Sequence, residues 1–254
     1  MTAVSQTSPG PSAAAQAAGV TDTTPRAAAL WAGSSYAALF VLAIFANFAV
    51  VTRLVDPDDP AATLTALAAE APVVRAAVLA FGVVFVLDVV IAWALFVVLR
   101  PAGRDRSLLA AWSRLTYTAF LGVAIVPLFI ALQLSSQPAF AGLDPATREA
   151  GVAAAVAAFD LTWLVGLAVF GLHLVVVGAT IVGSRIAPRP LGWLLVVAGA
   201  AYALDTAAHV ALVDYDRYAG VLLAVVAVPS VVGELWLTLW LLLRAGRGSE
   251  RSDR

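Results

Sequence analysis

Six long apolar runs leave this chain few ways to fold. They cover about residues 27–52, 73–99, 108–134, 152–183, 190–213 and 220–243. Each is near or above the ~20 residues that cross a bilayer core as a helix. Open strands cannot satisfy their backbone groups in lipid, so the runs read as helices. The breaks between them carry turn chemistry: Asp56-Pro57-Asp58-Asp59-Pro60, Arg100-Pro101-Ala102-Gly103, Gly142-Leu143-Asp144-Pro145 and Pro188-Arg189-Pro190. Pro127 and Pro229 lie within the third and sixth spans and are expected to kink them. The fourth run is long, and its first residues are expected to turn at the interface. The fold class is therefore all-α, an integral membrane bundle of six transmembrane helices.

Composition agrees. Charged residues make up only 12% of the 254 and hydrophobic ones 62%, where a soluble domain has about a quarter charged. That excludes a disordered chain, a nucleic-acid-binding protein and an ordinary soluble enzyme. The absence of cysteine excludes a disulfide scaffold, a thiolate metal site and a thiol nucleophile. Residues 1–26 are small, polar and Pro-containing, and read as a disordered tail rather than a signal peptide. Residues 244–254 read as a short basic tail.

Arginine sets the expected orientation, since every base in the chain is Arg. With six spans both termini share a side. Eleven bases fall there: Arg26, Arg100, Arg104, Arg106, Arg114, Arg185, Arg189, Arg244, Arg247, Arg251 and Arg254. Arg53, Arg75, Arg148 and Arg217 fall on the other side. The bias predicts cytoplasmic termini in a cell (inner) membrane, with Arg clusters meeting anionic lipid headgroups. Trp31, Trp112, Trp193 and Trp240 are expected in an aromatic belt on that side.

Four acids, Asp88, Asp160, Asp205 and Glu234, fall inside the spans, as do both histidines, His173 and His209. A carboxylate at mid-bilayer costs about 2.5–3.5 kcal/mol even on the lenient insertion scale, so these groups should face the bundle interior, pair, or be protonated. Counting depth along the spans predicts two layers. The outer holds Asn47, Asp160, Asp205 and His209; the inner holds Asp88, His173 and Glu234. Asp205 and His209 are i, i+4 on one face, flanked by Tyr202 and Thr206. Ser230, Glu234 and Thr238 form a second polar stripe. Asp160 and His173 are about 220° apart around an ideal helix, which argues against one metal held by both. Each group has two open readings, a buried hydrogen-bonded pair that only fixes helix packing, or part of a ligand site. Gly166, Gly171 and Gly178 read as close-packing positions.

The stretch from Asp160 to Asp205 carries Asp160 and Trp163, Phe170-Gly171-Leu172-His173-Leu174, Pro188-Arg189-Pro190-Leu191-Gly192 and Tyr202-Ala203-Leu204-Asp205. In these motifs it resembles a bacterial membrane family, domain of unknown function 4386. Gly233-Glu234-Leu235-Trp236-Leu237 and Leu239-Trp240-Leu241-Leu242 are similar to its closing segment. The resemblance covers about residues 156–243, is diffuse over the first three spans, and singles out Asp160, His173, Asp205 and Glu234. It implies a compact multi-helix membrane protein and no reaction. Asp88 and His209 lie outside the pattern.

The sequence has no GxSxG, HExxH, Walker or GxGxxG motif and no S4-like Arg series. It carries no enzyme signature, and no cofactor is expected. Three functions stay open: a non-catalytic membrane component, a proton-coupled small-molecule transporter, and an intramembrane metal- or haem-binding enzyme. The expected partners are the bilayer and a small-molecule ligand, not nucleic acid.

Overall fold

A computed structural model describes residues 22–246, so most of both expected tails lies outside the described residues. Among the described residues six helices are long and apolar enough to cross a membrane: α1 (Pro25–Leu54), α3 (Ala71–Leu99), α4 (Arg104–Ser136), α5 (Pro145–Ser184), α6 (Arg189–Ala211) and α7 (Ala219–Leu243). The chain is a multi-pass membrane protein.

Two elements depart from the expected pattern. A short helix, α2 (Pro60–Ala69), occupies what reads as a loop. Asp59 caps it by accepting from Ala62 N, and Pro60 supplies the preset first turn. The fourth span does not begin with an interfacial turn. Helix α5 runs unbroken from Pro145 because Asp144 caps it at Thr147 N, and Arg148 donates to the Leu134 and Ser135 carbonyls at the end of α4. That contact satisfies carbonyls the helix end leaves open.

The spans form a closed ring in chain order. Helix α1 packs on α3, α3 on α4, α4 on α5, α5 on α6, α6 on α7, and α7 back on α1. Arg26 closes it by donating to the Leu241, Leu242 and Ala245 carbonyls at the end of α7. We call this the terminal end and the opposite one, with the 55–59, 137–144 and 212–218 connections, the loop end. Of the tryptophans expected in a belt, Trp31, Trp112 and Trp193 are exposed, but Trp240 is buried. It packs into the terminal-half core with Leu237 and Leu241.

That core takes residues from all six spans, among them Tyr36, Leu95, Tyr117, Leu174, Leu195 and Leu241. A second core towards the loop end is built from α1 to α5 only, around Val50, Phe81, Leu128 and Phe159. Neither α6 nor α7 enters it. In α7 only Val226 is buried before Pro229, whereas Ser230, Gly233, Glu234, Leu237, Thr238, Trp240 and Leu241 are buried after it.

Candidate functional site

The centre of the ring holds a polar cluster to which each spanning helix contributes: Tyr36 from α1, Asp88 from α3, Arg114 from α4, His173 from α5, Tyr202 from α6 and Glu234 from α7. Each lies about 14–20 Å from the terminal end of its helix, at ~1.5 Å per residue, so the six share one level. Arg114 organises them. Its Nε donates to Asp88 Oδ1 at 2.9 Å, and its Nη2 makes an ion pair with the same oxygen. Nη1 donates to Tyr36 Oη at 2.6 Å and lies 3.3 Å from His173 Nε2. The guanidinium also sits over the rings of Tyr36 and Phe170, 4.7 and 5.4 Å from their centroids.

These contacts fix the histidine. A guanidinium offers only donors, so Nε2 must accept. The proton is then on Nδ1, which donates to the Ala110 carbonyl at 2.8 Å. Both ring nitrogens are engaged, and neither is free to ligate a haem or a metal. Glu234 lies within electrostatic reach of Arg114 and Asp88 and of Tyr36 and Tyr202, and the Tyr202 hydroxyl sits beside Ser230. Thr238 spends its hydroxyl on the Glu234 carbonyl. Among the described residues Asp88 Oδ2 is buried with no hydrogen-bond partner.

Charge bias places Arg114 with the bases at the membrane face, but the fold buries it in the interior. Arg114 is 1% exposed. Helix α4 starts at Arg104, four residues ahead of the apolar run, which carries Arg114 about 15 Å inward. A signal for it existed in the sequence: Asp88, at matching depth on the neighbouring span, needs a counter-ion.

The other polar residues gather nearer the loop end around a cavity of about 300 Å³. Its wall includes Asn47 from α1, Asp160 and Trp163 from α5, Asp205 and His209 from α6, and Tyr215 from the α6–α7 connection. Helices α1 and α6 are not neighbours in the ring, so the cavity lies where α6 and α7 leave the loop-half core. Asn47 sits in a π-helical segment, Ile44–Val51, whose widened register brings Thr52 N–H to the Asn47 carbonyl. Such segments are rare and recur at functional sites. Tyr215 Oη donates to Asp205 Oδ1 at 2.8 Å, and its ring packs 4.1 Å from that of His209. Burial, the Asp205 hydrogen bond and the nearby Asp205 and Asp216 charges push the Tyr215 phenol up to about 12, so it remains a donor. The Asp160 carboxylate has no hydrogen bond or ion pair to any described residue.

An aromatic layer separates cavity and cluster. Leu167 lines the cavity floor. One turn further in, Phe170 packs against Tyr117, Tyr202 and His173, with ring centroids 4.8, 5.5 and 5.7 Å apart. The structure thus brings Asp88, His173, Tyr202 and Glu234 together at one level and Asn47, Asp160, Asp205 and His209 at another.

A family model described as Domain of unknown function (DUF4386) matches residues 31–245, and so takes in all six spans. The chain belongs to this family. The match extends through α1, α3 and α4, so Tyr36, Asp88 and Arg114 lie inside the DUF4386 region. An uncharacterised protein of Archaeoglobus fulgidus is 25% identical over 167 residues, covering 66% of this chain and 82% of that one. No solved structure matches.

Proposed function

We propose that this DUF4386 protein is a proton-coupled transporter of a small solute. One observation carries the proposal: at the level where all six helices meet, two acids, Asp88 and Glu234, face one base, Arg114. His173 is held as a neutral acceptor and adds no compensating charge. Arg114 is committed to Asp88, so the Glu234 charge must be balanced by a proton or by a cation. Exchange between those states would change the net charge at the centre of the ring. Helix α6 and the connection that leads into α7 border the loop-end cavity, and α6 and α7 belong only to the terminal-half core, so they are the elements free to respond.

In this scheme the loop-end cavity receives the solute, the Phe170 layer closes the path, and Glu234 carries the proton. The arginine bias assigns the terminal end to the cytoplasm, at ten bases to four once Arg114 is moved to the interior. Arg100, Arg104, Arg106, Arg185 and Arg189 would then meet anionic headgroups of the inner membrane.

The test uses purified protein in vesicles loaded with a pH-sensitive dye. Panels of small amines, amino acids, sugars and carboxylates are added outside. At least one class should drive proton movement with wild-type protein and none with Glu234→Gln. Proton movement unchanged in Glu234→Gln, or absent with every class, would end the transport proposal.

A further inference from the structure

We infer that the loop-end cavity binds a small organic cation, an alkylammonium or quaternary ammonium group, between Asp160 and Asp205. The inference deepens the transport proposal and rests on it for the passage of the cation, but not for its binding.

Charge points to a cation. Two carboxylates line the cavity and no arginine does. The Asp160 carboxylate lacks a hydrogen-bond or ion-pair partner among the described residues. The nearest base on the adjoining connection, Arg217, lies over the Tyr218 ring at 5.9 Å and is outside the lining. An anion entering here would meet like charge on two walls and no guanidinium.

Shape and wall chemistry point to an organic rather than an inorganic cation. A metal needs ligands converging at about 2.0–2.6 Å. Among the described residues no group of three His, Asp or Glu converges closely enough to hold one. Asp160 and Asp205 stand instead on different helices, α5 and α6, with about 300 Å³ of cavity at their side. The remaining wall is mixed, with Phe159, Trp163 and Tyr215 beside Leu161, Leu164 and Leu167. Trp163 makes edge contacts with Phe81 and Phe159, ring centroids 5.3 and 5.4 Å away, which brace its indole. Tyr215 is braced by Asp205 and His209. Indole and phenol faces attract cations through their quadrupoles, and rings set around acids are the recurring solution for alkylated ammonium groups. Tyr215 also keeps Asp205 turned to the cavity while remaining neutral itself. The amide of Asn47 supplies a carbonyl for an N–H of a primary or secondary ammonium.

The probe is tetramethylammonium, titrated into purified wild-type protein and followed by isothermal titration and tryptophan fluorescence. Saturable binding is expected, weakening as ionic strength rises. Neither tert-butanol, a neutral probe of similar size, nor methanesulfonate should bind. Asp160→Asn and Asp205→Asn should each raise Kd about tenfold or more, a change of ~1.4 kcal/mol per decade. Trp163→Leu should raise it about two- to fivefold, the range for a partly exposed cation–π contact. Circular dichroism and melting temperature check that each variant is folded. If a variant unfolds, competition of methylammonium and trimethylammonium for the wild-type site replaces it, and both should displace the probe. Wild-type protein that does not bind tetramethylammonium, binds tert-butanol equally, or binds undiminished in both Asn variants overturns the inference. Proton movement that depends on Glu234 without cation binding would leave transport standing and this assignment overturned. Cation binding without proton movement would do the reverse.

Discussion

The two halves of the helix ring use similar residues and reach opposite outcomes. Towards the terminal end all six spans share one core. Towards the loop end α6 and α7 fall outside it, and Val221, Leu223 and Val228 are more than 60% exposed. Hydrophobicity does not distinguish them, because lipid rewards both halves equally. Glycine does. Gly171 faces Gly199 and Gly178 faces Gly192, so a Cβ on any of the four would run into the opposite backbone. Gly33 lies against Leu242, and Gly233 against Leu194 and Leu195. These contacts bring α5, α6, α7 and α1 together in the terminal half. Beyond Gly199 in α6 and Gly233 in α7 the seam ends. Gly220, at the loop end of α7, has nothing within 4 Å of an added Cβ. Close approach between spans depends on small residues at the seam, and where they stop the helices part and leave the cavity.

The hardest test of this division removes the ion pair at its boundary. Arg114→Met or Asp88→Leu alone strands a buried charge and should cost about 3–5 kcal/mol, measured by unfolding in mixed detergent. The double variant should be more stable than either single one. Three variants of equal stability would mean that the pair does not hold the six helices at this level.

The glycine seam is the next target. Gly199→Ala should destabilise by about 1–3 kcal/mol, since its Cβ meets the Gly171 carbonyl and backbone cannot step aside cheaply. Gly82→Ala, in the loop half of α3 with open space around it, should stabilise by about 0.5–1 kcal/mol through helix propensity alone. Equal costs at both sites would break the link between small residues and closure.

A gentler measurement follows the boundary within α7. Amide hydrogen exchange should be faster over residues 219–228 than over 230–241, since few buried contacts protect the first stretch. Pro229 deprives the Val225 carbonyl of its helical donor. Pro229→Ala should restore that bond and slow exchange in the first stretch, leaving the second unchanged. Uniform protection along wild-type α7 would erase the distinction between the halves.

How far this arrangement could be read beforehand depends on the kind of signal. The six spans were legible because a length of apolar residues is dictated directly by bilayer thickness. Helix α2 carried an Asp59-Pro60 start signal, but its ten residues were too few to register as a span. The extension of α5 back to Pro145 was hidden because it lies where the sequence is no longer uniformly apolar. The π-helical register around Asn47 leaves no mark in residue periodicity. Depth counting separated Asn47, Asp160, Asp205 and His209 from Asp88, His173 and Glu234. It could not say which helices adjoin, and so could not show a shared cavity. Arg114 was missed for a different reason. Charge bias assigns arginines to headgroups on average, and one arginine serving as counter-ion to Asp88 is invisible to an average.

The smallest effect contrasts the buried pair with an exposed one at the loop end. Arg53 donates to Glu70 with both side chains partly exposed, tying the end of α1 to the start of α3. That hydrogen bond, with the guanidinium charge, holds the Glu70 carboxyl below the ordinary carboxylate range. A carboxyl depressed in the folded state stabilises it above the unfolded value of about 4.3, and the gain is lost as pH falls through the folded value. Glu70→Gln should therefore lower the melting temperature only slightly at about pH 7, because exposed pairs contribute little. The gap from wild type should close as pH falls below the depressed folded value, where both proteins lack the charge. Asp88→Leu should behave differently, since its penalty comes from a guanidinium left buried without a partner, and Arg114 stays charged throughout this range. Its melting temperature should lie far below wild type at about pH 7 already. A Glu70→Gln deficit that persists in acid would show that the side chain matters there for packing and not for charge. The contrast between an interior organised by one ion pair and a surface that tolerates losing another would then have to rest on Arg114 and Asp88 alone.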